Sequence, residues 1–426
     1  MIADRKSGAL LMLLDTLILA YGSYILSYLV PEAGDIWEPA KYAGLIALSA
    51  WIVWGILALW KKNANHHLLP IALFIVSVGW LEIYHLGLAT GEVMQGPRQA
   101  IFTSISLGVF LFIAVCLRDY HILGDYKYVW LVVGLAIQFV VMLFGTTKYG
   151  ATLWITFGNY SVQPVEFVKI MIVIFFAAFL RQFSSQNNNW FKSEEKRVRR
   201  RALISLGIGM AAAEFTLVIQ RDLGMALLLF GIFISMFYVT SNRKDILACT
   251  FLLSSLGAYF CWKYFDHVQE RVNNWLDPFC DYYDKGHQMC QAIFTLGNAG
   301  LDGTGLGLGG AHNIPIVIND FTFVAIVEEF GIFGASALIV AFILLAAHYF
   351  YVALKVKDEF GTILVTGLAS MFAWQSIINM LGVTKSIPMT GIALPFVSAG
   401  GTSMVSCFVI LSLIWVIDAC DGGVSR

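Results

Sequence analysis

The chain is poor in charge. Of 426 residues only 13% are Asp, Glu, Lys or Arg, whereas 58% are hydrophobic and the mean hydropathy is +0.74. A soluble chain of this length cannot hide so much apolar surface, so a soluble enzyme or binding module is excluded. The net charge of −1 has no partner information in it; how charge is divided among loops does, and no nucleic-acid partner is expected. Seven cysteines lack metal-ligand spacing. Cys116, Cys249, Cys261, Cys407 and Cys420 fall in or beside apolar runs and read as small packing residues, while Cys280 and Cys290 share one loop, where a disulfide is the minor expectation. No cleavable signal peptide stands out, because the first apolar run is too long and leads straight into more. The glycine-rich stretch "LGNAGLDGTGLGLGGAHNIP" (296–315) is followed by no GK[ST], which argues against a nucleotide phosphate loop. Its glycines read as tight turns of a folded loop, with a lipid-linked pyrophosphate left open as an occupant.

What the chain does have is repeated runs of about 20 apolar residues, the length needed to cross a bilayer as helix. About twelve spans are expected, near 9–30, 42–60, 68–90, 99–117, 128–146, 164–181, 202–219, 222–240, 246–264, 321–353, 361–382 and 402–420. The fold class is therefore an all-α polytopic membrane protein. It divides into N-terminal helices (1–95), a first bundle part (96–264), a large extracytoplasmic loop (265–320) and a C-terminal bundle part (321–426). Lys and Arg set the orientation. With both termini in the cytoplasm, the inner loops collect Arg5, Lys6, Lys61, Lys62, Arg118, Lys127, Arg243, Lys244, Lys355, Lys357 and the block "KSEEKRVRRRA" (192–202). The outer loops carry Glu32, Asp35, Glu38, Asp277, Asp281 and Asp284. The basic block reads as a topology signal touching anionic membrane lipid.

Ionisable residues at membrane depth are functional candidates by default. Pro164 opens a helix on which Glu166 and Lys169 share a face, as an ion pair or as ligand contacts. Arg221 and Asp222 stand at a helix N-terminus, where Asp222 can act as a cap. The segment 382–404 is too irregular for one helix and reads as a re-entrant-like loop offering Lys385 and Ser398. In "IVINDFTFVAIVEEF" (316–330), Asp320 sits at the outer end of its helix, and Glu328 lies roughly 12 Å deeper. Glu328 is turned about 80° from Asp320, and Glu329 points to the opposite side. The deeper glutamates are expected to pair with buried cations or backbone. Asp320 reads equally as a reactive acid or as a helix N-cap.

Taken in order, "GPRQAIFTSISLGVFLF", "QPVEFVK", "QRDLGMALLL", "LGNAGLDGTGLGLG", "NDFTFVAIVEEFGIFG" and "IPMTGIALPFVSAGGTS" resemble the motifs of the SEDS family (shape, elongation, division and sporulation), which includes FtsW, RodA and SpoVE. The resemblance runs from about Arg98 to Trp415. It implies a peptidoglycan glycosyltransferase that polymerises lipid II, carried on undecaprenyl pyrophosphate, at the outer face of the bacterial cytoplasmic membrane beside a class B penicillin-binding protein. It makes Asp320 the essential acid, a general base in a single inversion. Gln163, Glu166, Lys169, Gln220, Arg221, Asp222, His312, Lys385 and Ser398 become candidate substrate contacts. Lys385, Arg221 and Lys169 are placed toward the pyrophosphate, with a divalent cation, Mg2+ or Mn2+, as the other source of positive charge. The chain departs from the pattern at Leu153, where arginine is expected, and at Thr156. Arg221 stands for proline, Ala399 for tyrosine, and two extra spans precede the matching region. A precursor flippase or transporter, and a weakly active scaffold that activates its penicillin-binding partner, are the alternatives.

Overall fold

The computed structural model describes residues 2–29, 37–61, 65–148, 151–158, 160–181, 193–240 and 244–421. In chain order the helices are α1 (Ile2–Leu29), α2 (Glu38–Trp60), α3 (Leu68–Ala89), α4 (Gln95–Cys116), α5 (His121–Asp125), α6 (Lys127–Phe144), then strands β1 (Thr146–Lys148), β2 (Ala151–Phe157) and β3 (Tyr160–Val162). They continue with α7 (Val165–Leu180), α8 (Ser193–Ile219), α9 (Leu223–Thr240), α10 (Lys244–Tyr264), α11 (Asp266–Leu276), α12 (His287–Asn298), α13 (Thr322–Lys355), α14 (Glu359–Val383) and α15 (Gly401–Asp421). Nine helices among the described residues are long and apolar enough to cross a membrane: α1, α2, α3, α4, α6, α9, α13, α14 and α15. The other three expected spans coincide with α7 (16 residues), with α8, whose apolar part is Ile204–Ile219, and with α10. The polytopic helical architecture is the one expected. The basic block 192–202 meets the start of α8, but Lys192 and the side chains that follow it lie outside the described residues.

One element is additional. Between α6 and α7 the β-branched segment 146–162 forms a three-stranded antiparallel sheet in the order β1-β2-β3, with Thr147 opposite Thr152 and Ile155 opposite Val162. Leu153, at the position where the family pattern has arginine, sits on β2 and is 8% exposed. Thr156 shares a hydroxyl contact of 2.9 Å with Thr146. Both departures are thus absorbed by the sheet.

The chain forms two compact units. The first comprises Met1–Ile113, Ala258–Leu345 and Gln375–Leu411; the second comprises Ala114–Gly257, Ala346–Trp374 and Ser412–Arg426. In the first, α1, α2 and α3 pack through Leu19, Leu26, Ala43, Ile46, Trp80, Leu81 and Tyr84. In the second, α7 and α9 pack through a ladder of aromatic rings, Phe175, Phe176, Phe179, Phe233 and Phe237, which Tyr128 of α6 joins against Phe179.

The glycine-rich stretch has a structural explanation in the first unit. Helix α13 breaks at Gly331 (φ 67°, ψ −173°), a conformation essentially restricted to glycine. A continuous helix would bond the Ile332 and Phe333 amides to the carbonyls of Glu328 and Glu329. Instead Ile332 N donates to Gly300 O and Phe333 N to Leu301 O (both 3.3 Å), while Thr304 N donates to Glu328 O (2.9 Å) and Gly305 N to Glu329 O (3.0 Å). The loop is spliced into the broken helix and satisfies both sets of orphaned groups. Such close backbone contact leaves no room for side chains, since a Cβ on Gly331 would lie 2.3 Å from Gly303 N. The amides of Gly307 and Gly309 are also committed, to the Glu329 carboxylate. The folded-loop reading is therefore favoured over an anion-binding loop.

Candidate active site at the start of α13

Residues 384–400, between α14 and α15, contain no helix or strand. Irregular backbone inside a membrane protein must have its polar groups met by protein, and side chains from neighbouring elements of the first unit do this. Asn379 Nδ2 donates to Ile392 O (2.8 Å), Gln375 Nε2 to Ala393 O (3.0 Å), Arg271 Nη1 to Thr390 O (2.8 Å) and Trp275 Nε1 to Lys385 O (3.1 Å). Ser398 Oγ accepts from Leu394 N (2.8 Å), and Gln99 brackets Ser398 O and Gly400 N. Gly79 of α3 is needed because a Cβ there would meet Val397 Cα at 2.7 Å. Ala399, where the family pattern has tyrosine, bonds through its amide to Ile318 O (2.9 Å).

This loop is fastened to Asp320. Asn379 Nδ2 donates to Asp320 O (3.1 Å) as well as to Ile392 O. The carboxyl group itself is partly exposed, and among the described residues no backbone amide donates to it, so it does not cap α13. Gly391 (φ 75°) stands beside it: a Cβ on that glycine would lie 3.9 Å from Asp320 Oδ2 and 3.8 Å from Arg271 Nη2. Asp320 precedes the membrane-spanning helix that begins at Thr322. Loss of water around it pushes its pKa up to about 6, against a downward pull from the Arg271 charge. A carboxyl poised near neutrality, reachable and facing a cation is suited to taking a proton from a hydroxyl.

The sequence reading missed Arg271 and Asn379. Arg271 lies on α11, an amphipathic helix far from Asp320 along the chain, and no local pattern links the two. Asn379 was an amide in a long apolar run; that rarity was the available signal.

The remaining candidates are distributed as follows. In the first unit Lys385 closes α14 with a left-handed backbone (φ 60°), its N–H on Gly382 O and the Ser386 amide on Leu381 O. Ser398 is buried in the loop's own hydrogen bond, and His312 is exposed on the short turn Ala311–Asn313. In the second unit Arg221 closes α8 in the same way (φ 61°), through Arg221 N to Val218 O and Asp222 N to Leu217 O. Asp222 Oδ1 caps α9 by accepting from Met225 N (3.0 Å). Gln220 Nε2 donates to Gln138 O (2.9 Å), tying α8 to α6. Glu166 and Lys169 form a buried ion pair at 2.9 Å on the first turn of α7, and Gln163 O accepts the Glu166 amide (3.2 Å).

Of the deeper glutamates, Glu329 has the backbone partners expected, whereas Glu328 Oε2 is buried without a hydrogen-bond partner. Glu329 Oε2 accepts from Gly307 N (3.0 Å) and Oε1 from Gly309 N (3.3 Å), and His85 Nδ1 is 2.8 Å from Oε1. Cys280 and Cys290 are free thiols rather than a disulfide. Cys280 Sγ donates to Asp277 Oδ2, and Cys290 Sγ to Pro278 O. Among the described residues no group of three His, Cys, Asp or Glu side chains placed to share a metal ion includes Asp320. A protein-built divalent-cation site therefore does not fit there, and the nearby positive charge is Arg271.

Fold and site together define a polytopic membrane protein with a half-sheltered acid just before a membrane-spanning helix. The sequence model of the FtsW/RodA/SpoVE family, described as cell cycle protein, matches residues 66–421, and the chain belongs to that family. It is 28% identical over 428 residues to the peptidoglycan glycosyltransferase RodA of Mycobacterium tuberculosis, covering 96% of this chain and 90% of that one. It is 31% identical to the protein of the same name in Mycobacterium leprae, covering 82% and 76%. It is 28% identical to the stage V sporulation protein E of Bacillus subtilis, covering 81% and 94%. Among solved structures it resembles a chain of a peptidoglycan synthase complex that coordinates polymerization and crosslinking (TM-score 0.67, 24% identity, 84% of this chain and 98% of that one). It also resembles the rod shape determining protein RodA of Thermus thermophilus (TM-score 0.58, 21% identity, 84% and 97%). These last two likenesses concern the fold.

Proposed function

We propose that the protein is a peptidoglycan glycosyltransferase that polymerises lipid II at the outer face of the bacterial cytoplasmic membrane, with both termini in the cytoplasm. The observation that carries the reading is Asp320: a partly exposed carboxyl, raised to about 6 and faced by Arg271, just before the first turn of a membrane helix. It takes the proton from the acceptor sugar hydroxyl as that oxygen attacks the anomeric carbon of the donor chain. The new C–O bond forms as the bond to undecaprenyl pyrophosphate breaks with inversion, and the proton later passes from Asp320 to water. A single inversion needs one base, in contrast to the two carboxyl groups of hydrolases.

Arg271 has one guanidinium N–H committed to Thr390 O, and the others are available to an anion. It is the first cation assigned to the pyrophosphate because it stands beside Asp320 in the same unit, whereas Lys169 is held in a buried pair. Any Mg2+ or Mn2+ in the reaction would be held by Asp320 together with phosphate oxygens. A class B penicillin-binding protein is the crosslinking partner, in keeping with the synthase-complex relative.

Asp320→Asn tests the reading. Polymer formed from purified lipid II, with and without the partner, should fall by at least about 100-fold, with thermal stability and partner binding retained. Wild-type polymer from that variant would remove the base. Lipid scrambling in liposomes without polymer from the wild-type protein would replace the reading with transport.

A further inference from the structure

Beneath the splice between the glycine loop and α13 lies a polar cluster that the proposed reaction does not use. Glu82 and His85, three residues apart on one face of α3, meet Glu329 of α13, and all three are at most 5% exposed. One ligating atom from each falls within 4.8 Å of the others. Glu328, 2% exposed, borders the same space: a Cβ on Gly309 would lie 2.9 Å from Glu328 Oε2 and 3.0 Å from Glu329 Oε1. Three carboxyl groups and an imidazole are thus buried together, and no Lys or Arg among the described residues forms an ion pair with them.

Buried carboxylates without a positive partner are among the costliest arrangements in a protein. The usual remedies are a shared proton or a metal ion. A proton shared between Glu82 and Glu329, whose carboxyl groups are within hydrogen-bond reach, still leaves Glu328 Oε2 and His85 Nδ1 without a hydrogen-bond partner. His85 Nδ1 approaches Glu329 Oε1 to 2.8 Å without hydrogen-bond alignment. That is how two lone pairs approach a common cation. Bonds of about 2.0–2.2 Å from a metal to nitrogen and oxygen place ligands within roughly 4 Å of each other, so the observed spread requires only a small closure.

We propose that Glu82, His85 and Glu329, with Glu328 at the rim, form a structural binding site for a divalent first-row transition ion, Zn2+ or Mn2+, that fastens α3 to the kink of α13. One imidazole among carboxylates favours such a borderline ion over Mg2+ or Ca2+, which prefer oxygen alone. The amides of Gly307 and Gly309 support Glu329 from behind, as outer partners of metal-ligating carboxylates do. The site is separate from Asp320 and does not depend on the glycosyltransferase reading.

The test uses the full chain in lipid nanodiscs, incubated with ZnCl2, MnCl2 or MgCl2, desalted, and read by elemental analysis and thermal melting. The expected result is one Zn2+ or Mn2+ per chain and a melting temperature that rises with that ion and falls with a chelator. Co2+ should give a d–d absorption band in the wild-type protein, a readout that requires no variant. The double variant Glu82→Gln/His85→Asn should bind more weakly by more than the roughly 10–100-fold typical of losing an outer partner, and should lose the metal-dependent melting shift. Absence of stoichiometric metal in the wild type, retention by Mg2+ alone, or unchanged binding in the double variant would each overturn the proposal.

Discussion

Helix α13 and the residue pair just before it place acids in two contrasting settings only nine residues apart. Asp320 is partly exposed, makes no hydrogen bond through its carboxyl among the described residues, and is faced by a guanidinium that is anchored to Thr390 O. Glu329 is 1% exposed, its oxygens accept from two backbone amides, and Oε1 lies 2.8 Å from His85 Nδ1. Chemistry needs an acid whose proton can come and go; architecture needs one whose oxygens are all spoken for. The difference teaches that carboxylates in a membrane span should be sorted by what occupies their oxygens, because depth alone does not separate them.

The largest effect should come from breaking the sealed setting through its backbone. Gly331→Ala forces a side chain into a glycine-only conformation and against Gly303 N and Leu301 O, both 2.3 Å from the new Cβ. Strain of about 1–3 kcal/mol and overpacking of about 1–3 kcal/mol together threaten the fold. The variant should fail to accumulate as a monodisperse protein, or melt far below wild type. Normal melting would mean that the splice is not a stabilising element.

Glu329→Gln should come next, at about 2–3 kcal/mol, since it leaves a glycine amide and His85 poorly partnered. Its signature is a lowered melting temperature in detergent or nanodisc. Among molecules that remain folded, the pH at half-maximal polymerisation should stay where it is. A shift of that pH by Glu329→Gln would erase the distinction between the two acids.

The open setting is probed by pH. Asp320 acts as a base only when ionised, so polymerisation should fall as pH drops through about 6. Arg271 pulls that pKa down, and removing the charge lets desolvation push it further up. Arg271→Gln should therefore move the acid limb to higher pH and lower the rate about tenfold or more at neutral pH. Arg271→Lys keeps the charge and should move the limb less. An unmoved limb in Arg271→Gln would separate the arginine from the acid.

How much of this was legible in the sequence follows from the range of each interaction. Spans were readable because burial in lipid demands a long apolar run, and α3 (Leu68–Ala89) and α9 (Leu223–Thr240) fall within two residues of expectation. Asp320 was readable as a candidate at the start of a span, but the residues alone left it level with a helix cap, and the motif resemblance decided between the two. Arg271 was not, since its bond to Thr390 and its approach to Asp320 join segments of the chain far apart in sequence. Glu82 and His85 did leave a signal, two ionisable residues three apart in one apolar run, but their partner in α13 is invisible without the fold. The β-branched residues of 146–162 signalled a strand that the search for helices passed over. Left-handed turns at non-glycine residues have no sequence mark, so the helix-closing conformations of Arg221 and Lys385 were not readable.

The contrast between the two acids extends to these cations and gives the smallest expected effect. Arg221 closes α8 at the position where glycine is usual, with φ 61° and both closing hydrogen bonds made by backbone. Glycine there relieves about 1 kcal/mol of left-handed strain but adds about 0.4–1 kcal/mol of unfolded-chain freedom. Arg221→Gly should therefore leave the melting temperature nearly unchanged. If the arginine serves the turn alone, polymerisation stays within about twofold of wild type while Arg271→Gln loses most of it. A tenfold loss in Arg221→Gly with unaltered melting would show that the arginine side chain serves the reaction as well as the turn.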